Sequence, residues 1–203
     1  MKKNKTSKNW LNQRGRDIYF KKSKAYGYKS RSAFKLIEMN EKFKFLKGDT
    51  FLLDLGSSPG GWCQVASKKI IKGKILGVDI KIMEKQKNVD FIIGDIENIE
   101  KNNKIINYFE RKIDVVLSDM ASNTTGIKNL DSYKTGELCL NAMNFTQKLL
   151  NKNGVFIAKL FMGSIFEEIK QKAKKTFKKV VIYKPTSSKK ESKEVYIYCK
   201  DIL

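Results

Sequence analysis

The stretch Thr50 to Ile70, TFLLDLGSSPGGWCQVASKKI, reads as a buried strand, a glycine-rich turn and the opening of a helix. Phe51, Leu52, Leu53 and Leu55 form an apolar run broken only by Asp54 and ended by Gly56, the pattern of a parallel strand covered on both faces. Gly56, Gly60 and Gly61 allow backbone to approach a ligand closely, and Pro59 stiffens the turn. The helix that follows aims free N–H groups at the loop, which suits the polar part of a nucleotide-like ligand.

Working outward, the run Ile75 to Val78 predicts a second strand with Asp79 at its C-terminal end. Asp79 follows Gly56 by 23 residues (79 − 56), near the roughly 20-residue spacing at which an acid in a Rossmann-type unit meets ribose hydroxyls. A third strand, Val89 to Ile93, leads to Gly94 and Asp95, an acid placed to accept from an adenine amino group. Further strands are expected at Ile113–Leu117, Val155–Leu160, Val180–Tyr183 and Glu194–Tyr198. Helices are expected at Tyr28–Lys44 with Ser30 as N-cap, at 97–111, at Tyr133–Leu150 ended by Asn153 and Gly154, and at Gly163–Phe177. Strands alternating with helices in this way predict a doubly wound α/β sheet.

The chain of 203 residues, 41% hydrophobic, suits one domain of 28–203 behind a polar, basic N-terminal arm of 1–27. Cys63, Cys139 and Cys199 lie far apart with no CxxC pair, so a disulfide framework or zinc cluster is not expected, and a reducing, cytoplasmic setting fits. The first ten residues have no apolar core of a signal peptide, and no stretch approaches the ~18 apolar residues of a membrane span, so a soluble, unexported protein is expected. The net charge of +21 implies a polyanionic partner, most simply nucleic acid. Residues 1–35 carry twelve Lys or Arg and one acid, Asp17, so the charge is concentrated.

There is no histidine, which excludes serine-histidine hydrolysis and imidazole acid-base or metal chemistry. No GxxxxGK[ST] motif is present, and Gly56-Ser57-Ser58-Pro59-Gly60-Gly61 is not GxGxxG, so NTP hydrolysis and nicotinamide chemistry are poor fits. What remains is a set of polar residues at strand ends, Asp79, Asp95 and Asp119, and Lys159 inside the apolar run VFIAKLF. A buried lysine is expensive without partners.

KSRSAFKL, LLDLGSSPGGW, VDFIIGDI, VVLSDMASNTTG, GVFIAKLF and KPTSSKKESKEVYIY, in this order from about Trp10 onward, resemble the FtsJ/RrmJ family of S-adenosylmethionine-dependent RNA ribose 2′-O-methyltransferases. The resemblance implies a Rossmann-like class I methyltransferase fold, with a seven-stranded, mostly parallel sheet, an antiparallel last strand and helices on both faces. It implies a catalytic tetrad of Lys35, Asp119, Lys159 and Glu194, and cofactor contacts at Gly56, Gly60, Gly61, Trp62, Asp79, Asp95 and Asp119, with no metal. Trp62 also reads as a core residue. The implied cofactor is S-adenosylmethionine. The implied substrate is a uridine ribose in the A-loop of large-subunit ribosomal RNA, within the assembled or assembling subunit, with a monomeric enzyme. Transfer RNA or messenger RNA cap methylation, or a non-catalytic ribosome-assembly role, are the alternatives. SSPGG and SNTTG depart from the commoner family patterns but remove none of the catalytic groups.

A ribose hydroxyl is a weak nucleophile, so it must lose its proton or be held in line with the sulfonium methyl. Lys159 could take that proton as a neutral amine or orient the hydroxyl as an ammonium; burial and Lys35 favour the first state, Asp119 and Glu194 the second. Tyr19, Phe20, Tyr26 and Tyr28 are candidates for stacking on bases as well as for core packing. The basic segments Lys21–Arg31 and Lys184–Lys193 are the expected RNA surface.

Overall fold

The computed structural model describes residues 17–96, 98, 103–122 and 125–203. Most of the basic arm, Trp10 included, and Asn123 and Thr124 of SNTTG lie outside the described residues. The strands are β1 (Phe51–Leu55), β2 (Lys74–Asp79), β3 (Asp90–Ile93), β4 (Ile113–Ser118), β5 (Leu150–Phe161), β6 (Phe177–Tyr183) and β7 (Glu194–Ile202). They form one sheet in the order β3-β2-β1-β4-β5-β7-β6. β1 to β5 run parallel, and β7 inserts antiparallel between β5 and β6.

The helices are α1 (Ile18–Ala25), α2 (Ser32–Phe43), α3 (Gly61–Ser67), α4 (Asn103–Asn107), α5 (Lys128–Leu149) and α6 (Phe166–Thr176). Period-two alternation divides the core between the two faces of the sheet. Leu53, Leu55, Phe156, Ala158, Leu160, Val195 and Ile197 pack in one cluster with Cys139, Phe145 and Ile169 of α5 and α6. Leu52, Val115, Val155, Ile157, Tyr196 and Tyr198 pack in the other with Ala33, Leu36 and Met39 of α2 and Trp62 and Val65 of α3. Lys159 follows Val155 and Ile157 at even spacing, so it belongs to the face that α2 covers.

Several boundaries differ from the sequence expectation. α2 begins at Ser32 and no side chain caps it; the Ser30 hydroxyl bonds that of Ser32 at 2.7 Å instead. β5 begins at Leu150, where α5 ends, because Leu150 pairs with Ile113 before a register shift lets Val155 pair with Val115. Asn153 and Gly154 are therefore strand residues and do not stop the helix. α1 was not legible as a helix. Asp17 builds it locally, its carboxylate accepting from the Tyr19 and Phe20 amides at 3.0 and 3.1 Å, and Tyr19, Tyr26 and Tyr28 surround Phe34 of α2 with ring centroids 5.5–6.4 Å away. Tyr19 and Tyr28 are partly buried by this packing, whereas Tyr26 is 68% exposed.

Candidate active site

The C-terminal ends of β1, β2 and β4, with the turn after β3, enclose a cavity of about 310 Å³ lined by Gly56, Ser58, Asp79, Asp95, Asp119 and Met120 among others. Ligands of open α/β sheets bind in this position. The loop after β1 is anchored by the Gly56 and Ser57 amides donating to the Val78 carbonyl at 2.9 and 3.2 Å. Asp79 is fixed in turn: its carboxylate accepts from the Ser58 and Lys81 amides at 2.9 and 2.8 Å. Gly56 has φ +75°, and a Cβ there would lie 2.5 Å from Met120 Cγ, so this position demands glycine.

The other loop residues lie elsewhere. Gly60, Gly61 and Trp62 do not line this cavity. A Cβ at Gly60 would meet the Gln86 amide and one at Gly61 the Ser30 hydroxyl, so both glycines serve close packing of protein on protein. Trp62 is 2% exposed, its indole N–H donates to the Ser32 carbonyl at 2.8 Å, and its ring lies 5.7 Å from that of Tyr196. Of its two readings, core residue and cofactor wall, the structure places it in the core.

Lys35, Asp119, Lys159 and Glu194 meet at one edge of this cavity, which Asp119 also lines. Lys35 Nζ lies 2.6 Å from Glu194 Oε1, and Lys159 Nζ lies 3.2 Å from Asp119 Oδ1. Lys159 also donates to the Asp119 main-chain carbonyl. Tyr196 links the two pairs, its hydroxyl donating to Asp119 Oδ1 at 2.7 Å and accepting from Lys35 Nζ at 3.2 Å. The strand register explains the assembly. Tyr196 pairs with Lys159 and Glu194 with Phe161, so β7 presents Glu194 and Tyr196 on the same face as Lys159, beneath Lys35 of α2.

Burial alone would push the Asp119 carboxyl up, but Lys159 and Lys35, with hydrogen bonds from Tyr196 and Lys159, hold it below the usual carboxylate range. Burial, Asp119 and Glu194 push the Tyr196 phenol well up, so it stays a neutral bridge. Tyr196 was missed in the sequence because a tyrosine in EVYIY reads as core; its spacing of two from Glu194 is the signal that puts both on one face.

Glu194 also accepts from the Ser188 hydroxyl at 2.8 Å. Glu38 of α2 clamps the Pro185–Lys193 loop by accepting from the Thr186 and Ser187 amides at 2.6 and 3.0 Å. Arg31 bridges from Asp17 to the Ser187 carbonyl. The two basic segments thus meet next to Glu194.

A sheet of this order, with a strand-end cavity lined by acids and a buried Lys-Asp-Lys-Glu cluster beside it, defines a class I methyltransferase fold. The chain belongs to the FtsJ-like methyltransferase family, whose model matches residues 28–202. It is 50% identical over 200 residues to the Ribosomal RNA large subunit methyltransferase E of Pelagibacter ubique, covering 98% of each chain. The protein of that name from Legionella pneumophila is 40% identical over 202 residues, again at 98% of each. Among solved structures, a ribosomal RNA methyltransferase, putative, from Plasmodium falciparum aligns with a TM-score of 0.77 at 38% identity, covering 87% of this chain and 99% of that one. No helix among the described residues is long and apolar enough to cross a membrane.

Proposed function

We propose that this protein transfers the methyl group of S-adenosylmethionine to a ribose 2′-hydroxyl of RNA, a uridine in the A-loop of large-subunit ribosomal RNA, acting as a cytoplasmic monomer on the assembled or assembling subunit. The observation that carries the reading is the buried chain Lys35–Tyr196–Asp119–Lys159, with Glu194 on Lys35, adjoining the acid-lined cavity through Asp119. The relatives' names support ribosomal RNA as the substrate.

The cavity residues fit the cofactor. In this reading Asp79, held by two amides, accepts from the ribose hydroxyls and Asp95 from the adenine amino group; their common place in the cavity lining supports it. Asp119, kept ionised, complements the positive charges at the methionine end. S-adenosylmethionine supplies an electrophilic methyl on a sulfonium. Lys159 holds the 2′-hydroxyl and receives its proton as the new O–CH₃ bond forms and the S–CH₃ bond breaks. Lys159 is held at this position by Asp119 Oδ1 and the Asp119 carbonyl. Lys35 and Glu194 orient the ribose, and the basic loop above them takes flanking phosphates.

Incubating the protein with methyl-labelled S-adenosylmethionine and either large subunits, naked ribosomal RNA or transfer RNA tests this. Label is expected in large-subunit RNA as a 2′-O-methyl nucleotide; label in transfer RNA alone, or none anywhere, overturns the reading. Asp79→Ala is expected to weaken cofactor binding by ~10–100-fold, the loss of ~1.5–3 kcal/mol from charged hydrogen bonds, in equilibrium titration. Wild-type affinity in this variant would remove Asp79 from the site.

A further inference from the structure

A second cavity, of about 440 Å³, opens at the opposite end of the sheet, where Thr50, Val115 and Asn151–Val155 mark the beginnings of β1, β4 and β5. It lies on the same face as the catalytic cluster, the face covered by α2. The aromatic part of its wall is Phe43 and Phe45, at and just beyond the end of α2, with Tyr198 of β7; Phe43 and Tyr198 stack at 4.0 Å with ring planes 12° apart. Lys44, Lys47, Lys152 and Lys200 also line it, the first three exposed and Lys200 half-buried. None of the four ammonium groups has an ion-pair partner among the described residues.

The acids of the cavity are Asp49 and Asp114, and Asp114 is already taken up by Arg111 at 3.0 Å, by the Phe51 amide at 2.8 Å and by the Asn151 amide nitrogen at 2.5 Å. That leaves Asn151 Oδ1 buried without a hydrogen-bond partner, a cost that a ligand donor would relieve. The volume is that of a small-molecule site. Unpaired lysines around aromatic rings and an unsatisfied amide oxygen together suit an anion attached to a flat, hydrogen-bonding ring.

We infer that this cavity is a second binding site for a phosphate-bearing nucleotide, with the phosphate on Lys44, Lys47, Lys152 and Lys200 and the base against the aromatic wall and Asn151. Lys35 and Lys44 are nine positions apart on α2 and its cap (44 − 35), and Lys152 and Lys159 seven apart on β5 (159 − 152); at about 1.5 Å and 3.3 Å per residue these separations span ~14 Å and ~23 Å. The bound unit is therefore not the nucleotide being methylated. A segment of the substrate RNA several nucleotides away fits best, and the site then anchors RNA without touching the chemistry. This assignment of the source rests on the RNA reading above; the nucleotide site itself does not.

The test uses the full chain and a Lys152→Glu, Lys200→Glu double variant, with Lys170→Glu, Lys172→Glu on α6 as a charge-matched control. Binding of a fluorescent single-stranded RNA is followed by anisotropy against salt concentration. The site variant is expected to lose about tenfold in affinity and to flatten the log–log salt slope by about 2, one per phosphate contact removed. Its cofactor affinity and its methylation rate at saturating RNA should stay at wild-type values. In parallel, uridine 5′-monophosphate is titrated into isotopically labelled protein; amide shifts around Asn151 and Tyr198 that vanish in the site variant support the cavity even where RNA is bound elsewhere, and then identify free nucleotide as its ligand. Equal losses in the site and control variants combined with no nucleotide-dependent shifts overturn the inference. So does unchanged RNA affinity combined with no such shifts.

Discussion

Replacing Lys159 with alanine is expected to slow single-turnover methyl transfer by ~10²–10⁴-fold, the usual contribution of a positioned general base, with cofactor affinity unchanged. Lys159 is 8% exposed, lies on β5 opposite Tyr196, and reaches Asp119 through both the carboxylate and the main-chain carbonyl. The cavity proposed for the cofactor is lined by Asp119 but not by Lys159, which is why binding and chemistry should separate. A near-normal rate in the alanine variant would remove it from the reaction. Losing Lys159 also removes a direct partner of Asp119, so Lys159→Ala and Asp119→Asn are coupled and their effects should not add.

The parts of this molecule legible in the sequence are those whose signal is local. Buried strands such as FLLDL and VFIAKLF are continuous apolar runs, and the acids after them mark strand ends because a sheet edge is where the apolar run must stop. Lys159 stood out for the same reason, as a charge where none is affordable alone. What was hidden depends on partners far along the chain. Gly60 and Gly61 look like ligand-approach glycines, but only Gln86 and Ser30, brought in by folding, reveal that they clear space for protein side chains. α1 has no apolar period and exists because Asp17 caps it and Phe34 receives Tyr19. The start of β5 looked like a helix stop because Asn153 and Gly154 are turn residues in isolation; pairing of Leu150 with Ile113 overrides them. Tyr196 carries its role only once β5 and β7 are in register.

Asp54 of β1 carries the second large expected effect, on stability. It is fully buried, accepts a hydrogen bond from the Cys63 thiol at 3.1 Å through Oδ2, and has Oδ1 without a partner. Burial pushes its carboxyl up to about 7; the Cys63 bond opposes this only in part, and Asp119 and Asp79 add to it. Below about pH 4 the group is protonated in both the folded and unfolded chains and costs nothing. Between there and pH 7 the unfolded chain has released the proton while the folded chain keeps it, so stability falls as pH rises, and above pH 7 the full penalty is present. The gap between the usual 3.8 and about 7 corresponds to ~4 kcal/mol at about 1.4 kcal/mol per unit. The substitution Asp54→Asn keeps the shape and an acceptor for Cys63 without a titrating charge. Urea unfolding of this variant beside wild type should therefore show a stability difference that moves in favour of the variant by ~4 kcal/mol from pH 4 to pH 8, whatever constant offset the amide introduces. A difference independent of pH would mean that Asp54 is ionised at no cost in the fold. The location explains why such a penalty sits here. Asp54 lies directly before Leu55 and Gly56, which line the strand-end cavity, and its ionisation is opposed by the charges of Asp79 and Asp119 at the same sheet end.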